Sequence, residues 1–195
     1  MNNSLTAGYL TPTTEALPGG LSLEDFIHGV IVGLTGLDKK LVRPRYQNDP
    51  TKQPPEPTIN WCSFSFNVLT PDNNAYVEGG ENDSSLQRNN DLQLFCSFYG
   101  NLGFEFASIF SDGFQITQNR DKLTQAKIGY TGVSQSTYVP ELINNRWFPR
   151  TDITVFLKRQ VTRKYNVESF LSAEGIIHGD TNLSTTIDIP INVEE

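Results

Sequence analysis

The segment 144-NNRWFPRTDITVFLKRQVTRKY-165 decides the fold. Its apolar residues recur at every second position, at Trp147, Ile153, Val155, Leu157 and Val161. Arg150, Asp152, Thr154, Lys158, Gln160, Thr162 and Lys164 fill the alternate positions, with Phe148 and Phe156 as exceptions. A period of two, rich in β-branched and aromatic residues, predicts a long half-buried strand with one face on a core and the other toward water or a partner. Pro149 has no amide proton to give to a ladder, so it belongs at the strand entrance or on an edge.

Two upstream segments carry the same alternation. Ile59–Leu69 puts Cys62, Phe64, Phe66 and Val68 on one face and Trp61, Ser63, Ser65 and Asn67 on the other. Leu86–Tyr99 sets Leu92, Leu94, Cys96 and Phe98 against Asp91, Gln93, Ser97 and Tyr99. They predict an antiparallel pair around a turn at Pro71–Asn74 and a polar loop at Gly79–Ser85. Leu41–Gln47 reads as a short extended piece kept off a central position by Pro44, and the prolines of Asn48–Thr58 make a stiff connection. Ile128–Val139 reads as a strand with irregularity at Gly129 and Gly132, Val139–Asn145 as a loop, and Asn166–Ile177 as a last strand pairing back onto the long one.

Three segments read as helices. Ser22 caps the first, through Leu34, with Asp25 as a capping-box-like partner and Gly36 as C-terminal cap. Leu23, Phe26, Ile27, Val30, Ile31 and Leu34 form its apolar face, and Gly29 and Gly33 permit close backbone approach. Asn101 caps the second, through Asp112, with Leu102, Phe106, Ile109 and Phe110 inward. Thr117 caps the third, Gln118–Ala126. The fold class is α+β, an antiparallel sheet with helices on one face. Its expected core is Phe64, Phe66, Leu94, Phe98, Phe106, Phe110, Val155 and Leu157. Residues 1–20, rich in Thr, Pro, Gly and Asn, read as an extended N-terminal arm, 21–178 as the domain, and 179–195 as a C-terminal arm. For each arm two readings stand, a frayed end or a segment that orders on a neighbour.

Composition narrows the function. A chain of 195 residues suits one domain with a core of its own. A net charge of −7 argues against a general nucleic-acid binder. No apolar run has transmembrane length, and the N-terminus lacks the basic region of a secretory signal. Cys62 and Cys96, both on the apolar parity of their strands, read as reduced core thiols; a bridge between neighbouring strands is the alternative. His28 sits inside a helix and His178 before the tail, neither in a nucleophile or metal pattern. No phosphate loop, dinucleotide fingerprint or nucleophile elbow occurs, so no catalytic residue, metal or cofactor is expected. Lys158, Arg159, Arg163 and Lys164, with Arg146 and Arg150 upstream, divide between the two faces of their strand. They read as a solvated strand end rather than a phosphate-binding stripe.

Five segments in order carry a family resemblance: LVRPRYQ (Leu41–Gln47), QPPEPTINWCSFSF (Gln53–Phe66), LQLFCSFYG (Leu92–Gly100), QNRDKL (Gln118–Leu123) and VPELINNRWFPRTDITVFLKR (Val139–Arg159). The set, covering Leu21 to Ile177, resembles the neck or tail-terminator-like proteins of tailed bacteriophages and prophages, mainly those with contractile tails. The resemblance implies a tail-terminator-like α+β fold. It also implies a structural virion protein in a ring, usually a homohexamer, that closes the tail tube and sheath and meets the head-completion (connector) proteins. Genomic DNA passes through such a ring without sequence-specific binding, no membrane takes part, and assembly occurs in the bacterial host cytoplasm.

Candidate subunit-interface residues are Arg43, Arg45, Glu141 and Arg146, with Ile187, Ile189, Ile191 and Val193 on the tail. Those four tail residues share one parity, and Pro190 suits them to an edge strand able to add to another subunit's sheet. A head-completion or tube-related subunit is the second reading. A non-virion assembly factor or a hydrolase is the third, and the latter lacks a site constellation.

Overall fold

The computed structural model describes residues 8–46, 53–71, 73–80 and 83–167. Along them the chain runs β1 (Thr13–Thr14), α1 (Leu23–Thr35), β2 (Val42–Pro44), β3 (Trp61–Pro71), β4 (Tyr76–Gly79), β5 (Ser84–Tyr99), α2 (Gly103–Gly113), α3 (Thr117–Gln125), β6 (Ile128–Val133), β7 (Thr137–Tyr138), β8 (Glu141–Ile143), β9 (Arg146–Phe148) and β10 (Arg150–Tyr165). The fold is α+β, as the alternation and the helical stripes predict.

β10 and β5 form the spine. They pair antiparallel without interruption from Arg150↔Tyr99 to Tyr165↔Ser84. On the far side of β5 lie β3 and, beyond a break, β4; β2 adds parallel to β3. The expected polar loop at Gly79–Ser85 is a hairpin connection closed by Gly80 N–H donating to Asp83 O at 2.6 Å. On the far side of β10 lie β7, β6 and β1. The irregularity expected from the glycines of β6 is a bulge, where the register shifts between Phe156 and Leu157.

From Thr151 to Leu157 the odd positions of β10 are the buried ones. Ile153, Val155 and Leu157 meet Cys96, Leu94 and Leu92 across the ladder, and α1, α2 and α3 cover this face through Ile27, Ile31, Ala107, Phe110 and Leu123. Phe98 meets Phe110 at a tilt and Phe110 meets Phe114 edge to face, with ring centroids 5.6 and 5.1 Å apart. Six of the eight expected core residues are buried. Phe66 and Phe106 are only partly so.

The reason in α2 is a rotation of its inner face. Gly103, Ala107, Phe110 and Phe114 point inward, whereas Leu102 and Ile109 are exposed. Nor does Asn101 cap this helix: the Leu102 N–H donates to Asn60 Oδ1 at 2.9 Å. In α1, Ser22 caps as read, accepting from Asp25 N–H at 3.1 Å, and Gly36 ends the helix at φ 72°. Gly29 and Gly33, however, face open space. The close helix approach is at Gly113, where an added Cβ would lie 3.0 Å from Leu34.

Cys62 and Cys96 are buried free thiols, and burial pushes the Cys62 thiol well above its ordinary pKa. Within residues 8–20, β1 pairs with β10 and Leu17 is buried in the core, so this stretch docks on its own domain. The expected last strand from Asn166 and the C-terminal arm fall, from residue 168 on, outside the described residues. β10 itself has neighbours along both edges. Gln160 N–H donates to Lys127 O, Glu15 N–H to Thr162 O and Ser134 N–H to Thr154 O between the paired stretches.

A candidate interaction face

The second face of the sheet brings together two of the sequence-predicted interface residues, Arg45 and Glu141. The reading of 139–149 as loop and continuous strand is corrected here. Glu141–Ile143 and Arg146–Phe148 form a separate hairpin, β8–β9. Asn144 and Asn145 turn it, at φ 48° and 58°. Two successive positive φ values belong to the tight turn that matches strand twist, and Asn tolerates them better than most residues. Parity therefore resets at Pro149. Phe148 is buried and Trp147 is 65% exposed, the reverse of the single-strand expectation.

The inner side of the hairpin closes over Trp61 and Tyr99, with Phe148 buried and Ile143 and Leu41 packed against it. The Trp61 and Tyr99 rings stack at 4.2 Å and 7°. Such pairs contribute about 0.5–1.5 kcal/mol beyond area burial.

Beside this cluster runs a chain of charge-assisted hydrogen bonds. Arg45 Nη2 donates to Ser97 Oγ at 2.6 Å, and Ser97 Oγ to Asp152 Oδ1 at 2.6 Å. Arg150 bridges two carboxylates, Nη2 to Asp152 Oδ2 at 2.7 Å and Nη1 to Glu141 Oε2 at 2.8 Å. The Tyr99 hydroxyl donates to the same Glu141 oxygen at 2.9 Å. Burial opposes the charge of Arg150, but the hydrogen bonds to Asp152 and Glu141 outweigh it and raise its pKa further. The network ties three separate pieces of chain, β2, the sheet spine and the hairpin, into one surface. It leaves Leu142 and Trp147, direct cross-strand partners, facing outward at 54% and 65% exposure.

Of the candidate interface residues, Arg45 and Glu141 are thus joined through Ser97, Asp152 and Arg150. Arg43 is instead held by nearby backbone, donating to Lys40 O and Gln53 O at 3.0 Å each. Arg146 pairs with Glu56 at 3.0 Å, both exposed. Ile187, Ile189, Ile191 and Val193 lie outside the described residues. Sequence reasoning missed Arg150, Asp152, Ser97 and Tyr99 as a unit, and Leu142 as the partner of Trp147. The Asn144–Asn145 pair was the available signal, since two turn-forming residues between apolar positions mark a hairpin. Among the described residues no group of His, Cys, Asp and Glu is placed to hold a metal ion, and no helix is long and apolar enough to cross a membrane.

Tyr99 offers a pH test of this network. Burial raises its pKa, and the adjoining Glu141 carboxylate raises it further. An unfolded phenol titrates near about 10. With the folded value above the unfolded one, the contribution of Tyr99 is complete below about pH 10 and is lost as pH rises through the folded value. Urea denaturation from about pH 9 to 11 should therefore show wild-type stability falling more steeply than that of Tyr99→Phe. Equal slopes would mean that the phenol is not held neutral by this site.

A family model described as phage neck terminator protein matches residues 21–181. No curated protein matches the chain. The family match spans most of the sequence, so the chain belongs to the phage neck terminator family and is a structural component of the phage neck.

Proposed function

We propose, taking that membership as the premise, that the protein forms a six-membered ring at the neck of a phage tail, where it ends the tube and sheath and joins them to head-completion proteins. The observation that supports this best is the β8–β9 hairpin. Its outward Trp147–Leu142 pair is a large apolar anchor on a turn fixed from behind by the Arg150 bridge. Binding hot spots have this character: an exposed aromatic on a pre-organised support, needing little ordering when it docks. A hairpin that enters a different surface of the next copy makes a head-to-tail contact, and such contacts close into a ring when the rotation fits.

In this reading residues 21–178 form the ring wall and 179–195 an arm, with Ile187, Ile189, Ile191 and Val193 as edge-strand contacts to a neighbour. Tube and sheath subunits meet one face of the ring and head-completion proteins the other. Genomic DNA passes through the lumen without base readout, and the ring assembles in the host cytoplasm.

Trp147→Ala in the full-length protein tests the reading. The variant should keep wild-type thermal stability, because Trp147 supports no core residue. Electron microscopy should show rings or completed tails reduced at least about tenfold, the loss of one hot-spot anchor. Unimpaired rings and tails, or a virion reconstruction with the hairpin in solvent, would overturn the role given to it.

A further inference from the structure

The ribbon formed by β5 and β10 continues beyond the Leu92–Leu157 pair that ends its share of the main core, and the same face there carries an arginine cluster. Arg159 and Arg163 share one parity on β10, and Arg88 lies opposite Val161, between them. Directly opposed residues sit about 5 Å apart and diagonal ones about 7–8 Å, so the three side chains share one patch. No described residue gives any of the three guanidinium groups a hydrogen bond or a carboxylate partner. The nearest ion pairs, Lys127–Glu15, Lys164–Asp83 and Lys158–Asp91, use other cations.

The Nε atoms of Arg88 and Arg159 and Oδ1 of Asn90, the cross-strand partner of Arg159, are buried without a hydrogen-bond partner among the described residues. Burial and the charge of Arg163 lower the pKa of Arg159. A cleft of about 240 Å³, lined in part by Leu17, Lys127, Arg159 and Val161, opens beside the cluster. Three half-buried like charges with no ion-pair partner among the described residues, the cleft carboxylate Glu15 being taken by Lys127, are unfavourable unless something acidic covers them.

The sequence supplies such a cover. Of the 22 acidic residues, six (Glu168, Glu174, Asp180, Asp188, Glu194 and Glu195) fall after residue 167, and none of the 15 lysines and arginines does. Residues 1–167 hold 16 acids against the 15 bases, so the net charge of the protein resides almost wholly in its last 28 residues. That segment leaves β10 just past Tyr165, two residues beyond Arg163. A tether this short gives an effective concentration near the millimolar range.

We propose that in the free subunit the acidic C-terminal segment, residues 168–195, folds back onto its own Arg88–Arg159–Arg163 cluster and neutralises it through carboxylate–guanidinium pairs. Arginine suits the role, since its planar fork holds carboxylates at two points. Strand addition to β10 is not the means, because both edges of that strand are occupied. The contact is by side-chain charge, and it stands whether or not the protein closes into rings.

Hydrogen-exchange mass spectrometry on the full-length protein, diluted until light scattering reports monomer, tests it. At low salt, amides within 168–195 should exchange about five- to tenfold more slowly than in the Arg88→Gln/Arg159→Gln/Arg163→Gln variant, and about 0.5 M salt should remove the difference by screening. Circular dichroism would confirm that the variant is folded; single substitutions serve if the triple one is not. Equal exchange in wild type and folded variants overturns the proposal.

A carbodiimide cross-link in Arg88→Lys, made in an equimolar mixture of ¹⁴N- and ¹⁵N-protein, fixes the source. Links from the introduced lysine to 168–195 within one isotope support the proposal, whereas mixed-isotope links, or none, overturn it. Duplex DNA is the competing occupant. If the arginine substitutions abolish duplex binding while tail exchange stays unchanged, the cluster serves nucleic acid and the proposal fails.

Discussion

Phe110→Ala is expected to lower the free energy of unfolding by about 3–5 kcal/mol, a loss of roughly 10 °C in melting temperature for a chain of this size. Phe110 is fully buried on α2. Its ring meets Phe98 of β5 on one side and Phe114 on the other, and Phe114 stacks at 5.1 Å on Tyr130 of β6. Deleting the ring opens a void where sheet and helix layer meet. Its neighbours are held by the β5–β10 ladder and by the approach of α1 at Gly113, so the site has little room to collapse. Phe106→Ala, one turn away and only partly buried, should cost less than about 2 kcal/mol by the same reasoning. Chemical denaturation of both variants checks the pair. If Phe106 were the costlier residue, the inner face of α2 would be the one its sequence stripe suggested.

That contrast shows what could be read from the chain alone. The β10 parity was legible because every second residue from Thr151 to Leu157 is buried, and no other period fits such a run. The face of α2 was not, since its inward residues are Gly103, Ala107, Phe110 and Phe114. Two of these are too small to register as apolar anchors, while Leu102, Phe104 and Ile109 are exposed. Gly103 sits where it does because the backbone of Phe98 passes so close that a Cβ would meet Phe98 O at 2.7 Å.

The candidate face was legible only in fragments. Arg45 and Glu141 are 96 positions apart, and nothing in the sequence links them. Ser97, Asp152 and Arg150 connect them, and each reads from sequence as an ordinary polar residue on the wet side of a strand. Pairing register decides such networks. Here the Asn144–Asn145 turn folds β8 onto β9, and Pro149 separates β9 from β10.

Gly100→Ala is expected to destabilise the protein by about 2–4 kcal/mol, with the damage spreading to both faces of the sheet. Gly100 ends β5 at φ 99°, a conformation open to glycine and strained for any residue with a Cβ. The added carbon would also collide with the Asn60 side-chain oxygen and lie 2.7 Å from Ile59 O. Asn60 is not free to move, because that same oxygen accepts the Leu102 N–H and starts α2. The Gly100 N–H in turn donates to Pro149 O at 3.1 Å, which anchors the joint between the hairpin and β10. One methyl group therefore strains the α2 start on the core side and loosens the support of Trp147 on the other. Gly29→Ala is the control: its position is helical, exposed and open, so the change should stabilise by about 0.5–1 kcal/mol through helix propensity. Urea denaturation of both variants, with exchange protection followed at 101–106 and 141–149, reads the effect. A Gly100 variant of wild-type stability, or one whose losses stay confined to α2, would mean that the turn yields without disturbing the hairpin joint.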